Sequence, residues 1–232
     1  MPKPTFHNLP EPKRRRLIEA ALDEFATQPY ANASLDRIAA NAEVSKGSLY
    51  QYFEDKADLY QHLVLTELAA RRTAALVPAA ATGTFFERIE AMFLAGLSTF
   101  LADPRAASLG ARIYENSSEP ITRAISDQAR ARGAAFFREQ LAAAVDRGEV
   151  RDDIDLDIAA RMVATLAGPG IIDALAFKLG KSLTEIARTT TPIDERAVHA
   201  TVRAAVELMA SGLAAQTHDR TRTKTVPKEK KR

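Results

Sequence analysis

The sequence predicts an all-α fold of about nine helices, and three observations carry that prediction. Alanine is abundant, while only 10 of the 232 residues are glycine, a balance that favours helix. Apolar residues recur three and four apart, as at Leu17, Ile18, Ala21, Leu22 and Phe25, and few runs alternate with period two. The punctuation is also helical: serine or aspartate precedes the periodic segments, and proline or glycine follows them.

Residues 1–10 hold three prolines and little periodicity, and are expected to form a flexible arm. Pro12 suits the first turn of a first helix, where its missing N–H is harmless, and that helix should end near Gln28, before Pro29. Ser34 is the expected N-cap of a second helix and Ser45 of a third, each offering a side-chain oxygen to free N–H groups. Asn41-Ala42-Glu43-Val44 makes the turn between them, with Val44 pointing inward. Asp55 caps a long fourth helix to about Leu76, with Leu59, Leu63 and Ala70 on its buried side and Pro78 as its stop. Further helices are predicted at about 84–101, 105–115, 119–147, 155–179 and 194–213, with Gly148 and Gly180 as stops and Asp194 as a start. Gly168-Pro169-Gly170 falls inside the segment 155–179 and either divides it or kinks it, the kink being favoured.

Composition excludes several chemistries. The chain has no cysteine, so disulfides, thiolate zinc sites and thiol nucleophiles are impossible, which suits a reducing cytoplasm. No apolar run approaches the roughly 20 residues of a membrane span, and no signal-peptide core is seen, so no membrane partner is expected. The net charge of +2 is unevenly placed. From residue 217 onward seven basic and two acidic residues give +5, leaving −3 for the rest of the chain. Nucleic-acid binding must therefore rest on local placement of charge. The segment 217–232 reads as a basic, disordered tail that either adds nonspecific affinity or is merely solvated.

The segment Val44–Phe53 is where that placement occurs. With Ser45 as cap, residues 46–52 form the exposed turns of a helix whose N-terminal end favours phosphate. Lys46 can reach a phosphate or a guanine edge, and Gly47 allows the helix to lie close in a groove. Ser48 is short enough to touch a base or phosphate. Tyr50 and Tyr52 each offer a hydroxyl to phosphate and an aromatic face to sugar or a thymine methyl. Leu49 and Phe53, four apart, anchor the helix inward, and Lys56 is placed for a further backbone contact. Any one of these residues alone is weak evidence, but their arrangement on two capped helices around a tight turn reads as a DNA-binding helix-turn-helix.

Residues 13–63 resemble the N-terminal domain of the TetR family of transcriptional regulators, about a fifth of the chain. The resemblance runs from Arg16-Leu17-Ile18-Glu19-Ala20-Ala21-Leu22-Asp23-Glu24-Phe25 through Ser34-Leu35-Asp36-Arg37-Ile38-Ala39 to Val44–Phe53 and Lys56-Ala57-Asp58-Leu59. Gln28-Pro29-Tyr30 stands where the family often has a glycine-containing turn, and Ala42-Glu43 where Ala-Gly is common. The resemblance implies an all-helical homodimer that represses transcription by placing its third helix in the major groove of a near-palindromic operator. By position it makes Ser34, Arg37, Ser45, Lys46, Gly47, Ser48, Tyr50, Gln51, Tyr52 and Lys56 the DNA-binding set. It also implies the domain plan: a helix-turn-helix domain over 11–58 and a helical ligand-binding and dimerisation domain over 59–216.

Family members hold a small-molecule inducer among their middle helices, and this chain offers a mainly apolar lining there. Candidates are Phe86, Met92, Phe93, Phe100, Ile113, Tyr114, Phe136, Phe137, Met162, Leu166 and Phe177, although aromatics at helical spacing more often form core than pocket. For the dimer interface the apolar faces of the last two long helices supply Ile158, Leu175, Val198, Val202, Ala205, Val206 and Met209. The four histidines share no metal-like spacing, and His62 is expected to face solvent. No cofactor, metal or catalytic motif is expected. A helical protein-interaction adaptor is the alternative to a ligand-released repressor.

Overall fold

The computed structural model describes residues 2–79, 81–114, 119–182, 185–186 and 193–215. The chain opens with α1 (Pro4–His7) and α2 (Glu11–Thr27), then a 3-10 turn (Tyr30–Asn32), α3 (Leu35–Asn41) and α4 (Lys46–Tyr52). Next, α5 (Lys56–His62) runs through a π-helical turn (Leu63–Leu68) into α6 (Ala69–Ala79). The body contains α7 (Phe85–Ala102), α8 (Pro104–Tyr114), α9 (Pro120–Asp146), α10 (Leu156–Thr165), a second π turn (Leu166–Gly170), α11 (Ile171–Leu179) and α12 (Glu195–Leu213). Among the described residues the sole β pairing is a bridge between Val150 and Ala214. From α7 onward the helices fall within about a residue of their sequence-predicted bounds.

Two apolar clusters hold the molecule together. The head cluster gathers Leu17, Leu22, Phe25, Ile38, Leu49, Phe53 and Leu59, all essentially inaccessible to solvent. The body cluster gathers Phe85, Ile89, Phe93, Leu97, Leu141, Leu175 and Val202 from α7, α9, α11 and α12. Each such side chain contributes about 2 kcal/mol by leaving water. Head and body are stitched by α8 on α2. Ser108 Oγ donates to the Ala26 carbonyl at 3.0 Å, and Arg105 reaches Asp23 at 2.9 Å and Glu19 at 2.8 Å.

Four expectations are corrected. Residues 3–9 are not a free arm: Pro4 starts α1, and Phe6 is 1% exposed among the head side chains. That same docking buries His62, which meets the Phe6 ring with centroids 5.1 Å apart rather than facing solvent. Ala70 is exposed although Leu59 and Leu63 are buried, because the π turn lies between Leu63 and Ala70 and rotates the following face out of register. Pro78 lies inside α6 rather than stopping it, in a final turn with one residue left to run. The segment Leu156–Leu179 is, by length and composition, apolar enough to span a membrane. Its apolar residues serve two faces, one in the body core and one outward, and Gly168 interrupts it with φ −103° and ψ −108°. The kink at Gly168-Pro169-Gly170 is as expected, and helices end as foreseen at Gly148 and Gly180, both at positive φ.

Candidate nucleic-acid interface

The turn that presents α4 is built from backbone hydrogen bonds. Val44 N–H donates to the Ala39 carbonyl at 3.0 Å and Glu43 N–H to that of Ala40 at 3.1 Å, the paired closure of a helix end. Glu43 adopts φ +56°, the conformation that glycine takes without strain. Val44 then tucks against the head cluster, as the sequence predicts. Ser45 caps α4, accepting from Ser48 N–H at 3.0 Å, and its hydroxyl also meets the Ser48 hydroxyl at 2.8 Å.

On this mount α4 is amphipathic across two turns. Leu49 and the following Phe53 are fully buried, which fixes the helix on α3 and α5. Ser45, Lys46, Gly47, Tyr50 and Gln51 are exposed and Ser48 is half-buried, so six of the proposed contacts share one outward surface. A Cβ at Gly47 would meet only Ser45 Oγ, at 3.9 Å, leaving that side open for a close approach from outside. Lys46 Nζ lies 2.8 Å from Asp36 on α3, which raises its pKa. Exposed pairs of this kind are weak, so the ammonium can exchange Asp36 for a phosphate.

Four members of the proposed set are placed otherwise. Tyr52 is 7% exposed, its ring packed in the head cluster, so it has no aromatic face to offer a sugar. Lys56 Nζ donates to the carbonyls of Tyr30 (2.7 Å), Ala31 (3.1 Å) and Ala33 (3.1 Å) and sits 4.6 Å from the Tyr30 ring centroid. An ammonium has three N–H donors, and all three are used in tying α5 to the loop before α3. Arg37 forks onto Glu24, and its Nη2 also donates to the Asn32 carbonyl at 2.8 Å. Ser34 caps α3, and its N–H donates to Glu24 Oε1 at 2.8 Å.

Glu24 is therefore the hub beneath the interface, and the sequence reasoning passed over it. Burial pushes its carboxyl up, but the Arg37 fork, the Ser34 N–H and the charge of Lys56 outweigh that and hold it below its usual range. The available signal was an acid on the apolar side of α2, next to Phe25, which needs a cationic partner to be buried.

The structure divides the proposed pocket and dimer sets. Met92, Phe93 and Phe137 are packed in the body core, with Phe86, Phe136 and Leu166 half-buried against it and Phe100 half-buried on α7. Ile113 and Tyr114 have side chains outside those described. Met162 and Phe177 are 62% and 88% exposed, so they belong to the outer face rather than to an interior lining. Of the dimer set only Ile158 lies open; Leu175, Val198, Val202, Val206 and Met209 are buried and Ala205 half-buried, because α12 turns that face onto α7 and α11. The outward apolar residues are instead Ile158, Met162, Phe177 and Leu208.

Comparison with known proteins agrees with this geometry. Residues 17–63 match the bacterial regulatory proteins of the tetR family. Over 152 residues the chain is 26% identical to the probable acrEF/envCD operon repressor of Escherichia coli strain K12, covering 62% of this chain and 68% of that one. A crystal structure of a TetR family transcriptional regulator from Chloroflexus aurantiacus aligns with 93% of this chain and 100% of its own, at 28% identity and a TM-score of 0.63. FadR from Bacillus subtilis, solved in complex with stearoyl-CoA, shares the fold at 20% identity and a TM-score of 0.66, over 85% of this chain and 98% of its own. With the head matched by sequence and the whole chain by fold, residues 17–63 are a tetR-type helix-turn-helix domain, and the chain as a whole is similar to TetR family transcriptional regulators.

Proposed function

We propose that the protein is a cytoplasmic repressor that binds a near-palindromic operator as a homodimer and is released by a small, mainly apolar ligand. The observation that carries this is the outward surface of α4, where Ser45, Lys46, Gly47, Tyr50 and Gln51 stand exposed while Leu49 and Phe53 anchor the helix beneath. Entering a major groove with its N-terminal end forward, α4 brings its free N–H groups and Lys46 toward phosphate, with Tyr50 and Gln51 against base edges and sugars.

A second copy of the chain is the fitting partner for the face bearing Ile158, Met162, Phe177 and Leu208. Large apolar side chains this exposed are unusual for an unpartnered surface, and an operator of two half-sites needs two heads. The ligand would insert at the edge of the body core, where residues such as Phe86, Phe136 and Leu166 stand half-buried. The stearoyl-CoA held by FadR of Bacillus subtilis supports an amphipathic molecule with a long apolar part. Movement of α9 would reach the head through Arg132, whose Nη1 donates to the Leu65 carbonyl in the first π turn at 2.8 Å.

The test is selection of a duplex from a randomised pool by the full chain, followed by titration of a Lys46→Ala/Tyr50→Ala variant. Loss of two contacts should weaken binding by roughly a hundredfold. If that variant bound the selected duplex as tightly as the parent, α4 would not be the reading helix.

A further inference from the structure

A helix of seven residues cannot hold itself in water, and α4 must be fixed at both ends to read DNA reproducibly. Its N-terminal end is served by Ser45. At its other end four carbonyls lack donors within the helix. Phe53 N–H takes that of Leu49 at 2.9 Å, and the remaining three are satisfied from the opening segment of the chain. Lys3 N–H donates to the Tyr52 carbonyl at 2.8 Å, Lys3 Nζ to that of Tyr50 at 2.8 Å, and Thr5 Oγ1 to that of Gln51. The ammonium of Lys3 thereby lies at the negative end of the helix dipole. Phe6, one residue further on, holds the segment in place, with its ring centroid 4.9 Å from that of Phe53.

We propose that residues 3–6 are a positioning strap for the reading helix, with Lys3 and Thr5 capping the C-terminal end of α4 and Phe6 as the anchor. The inference rests on α4 being the DNA-reading element. Lys3 and Thr5 act through α4 and not through contact with DNA, so they set how well the chain distinguishes its operator from other sequences. Both side chains are exposed, so removing their polar ends opens no cavity.

The experiment uses the full chain with Lys3→Met and Thr5→Val, singly and together, on two duplexes. One is the duplex the parent selects from a randomised pool; the other has an unrelated sequence. The double variant should bind the selected duplex about tenfold more weakly, as loss of roughly 1.4 kcal/mol of positioning predicts. Binding to the unrelated duplex and the salt dependence of binding should stay at parent values, and Lys3→Arg should restore affinity. Amide exchange at Leu49–Phe53 should quicken in the double variant without DNA present. Unchanged exchange, or unchanged affinity for the selected duplex, overturns the strap. So does equal weakening on both duplexes with the salt slope reduced by about one, the mark of a lost phosphate contact at Lys3. If instead the parent selects no duplex, or the Lys46→Ala/Tyr50→Ala variant binds like the parent, the DNA reading of α4 fails, and the exchange measurement still judges the strap.

Discussion

Arg72 Nη2 donates a 3.0 Å hydrogen bond to the carbonyl of Ala167, joining α6 to the kink between α10 and α11. That carbonyl needs an outside donor because the π turn diverts the regular one: Ile171 N–H bonds Leu166 instead. The first π turn is treated alike. Ala69 N–H turns to Thr66, and Arg132 from α9 supplies the Leu65 carbonyl at 2.8 Å. Each irregular turn is thus held by an arginine from another helix, so the two turns join head and body.

Removing either arginine side chain should loosen its own turn first. In Arg72→Met, amide exchange around residues 168–172 should quicken about tenfold, as loss of a charge-assisted hydrogen bond of about 1.4 kcal/mol implies. Arg132→Met should do the same around residues 65–70. Uniform change across the chain, or none at these turns, would count against the arginines as local clasps.

Much of this was readable beforehand, and the failures share a cause. Caps at Ser34, Ser45, Asp55 and Asp194 act over two or three residues, so local sequence is sufficient to place them. Phe6 contacting Phe53 and His62 is a long-range event, and missing it misplaced both the opening segment and His62. The proposed dimer and pocket residues are divided between core and surface for a different reason. Helical periodicity shows that α10 and α12 have apolar faces, but not which face meets the chain's own core. Val202 and Ile158 both look like interface residues in sequence; only Ile158 is open. Lys56 looked like a phosphate contact because the carbonyls of Tyr30, Ala31 and Ala33 cannot be foreseen as a nest from their side chains.

Glu24 makes the head acid-sensitive. Its pKa is held below 4.5, so its stabilising effect is complete above that value and is lost as pH falls through the lowered one. Glu24→Gln should cost about 2 kcal/mol near neutral pH, from weakened hydrogen bonds to Arg37 and Ser34. Urea melts of parent and variant should converge as pH falls through the lowered pKa and the parent carboxyl is protonated as well. A gap that stayed constant with pH would place the effect in packing rather than in the charge.

Glu43 carries strain that glycine would relieve. At φ +56° an ordinary residue is disfavoured by about 1 kcal/mol or more, partly offset on substitution by the greater freedom of glycine in the unfolded chain. Glu43→Gly should therefore stabilise by about 0.5 kcal/mol and raise the Tm by roughly 1–2 °C. Glu43→Ala keeps the strain and should leave the Tm where it is; an equal gain in both variants would trace the effect to the lost charge.

The outward face of α10, α11 and α12 tests the dimer directly. Phe177 and Leu208 are 88% and 77% exposed, so a charge at either position disturbs neither core of the single chain. Phe177→Glu/Leu208→Glu should leave helical content and melting at low concentration near parental values. At a proposed twofold interface each substitution occurs twice, placing four carboxylates where apolar surface is buried, which is prohibitive without cationic partners. Light scattering should then report a species of about 25 kDa, the mass of one chain, where the parent gives twice that. Operator binding should weaken far more than binding to a single half-site, because only the former requires two linked heads. Val202→Glu is the contrasting substitution: it falls in the body core, and it should unfold the chain rather than divide the dimer. A parent that is monomeric while bound to a full operator would remove the second copy from this face.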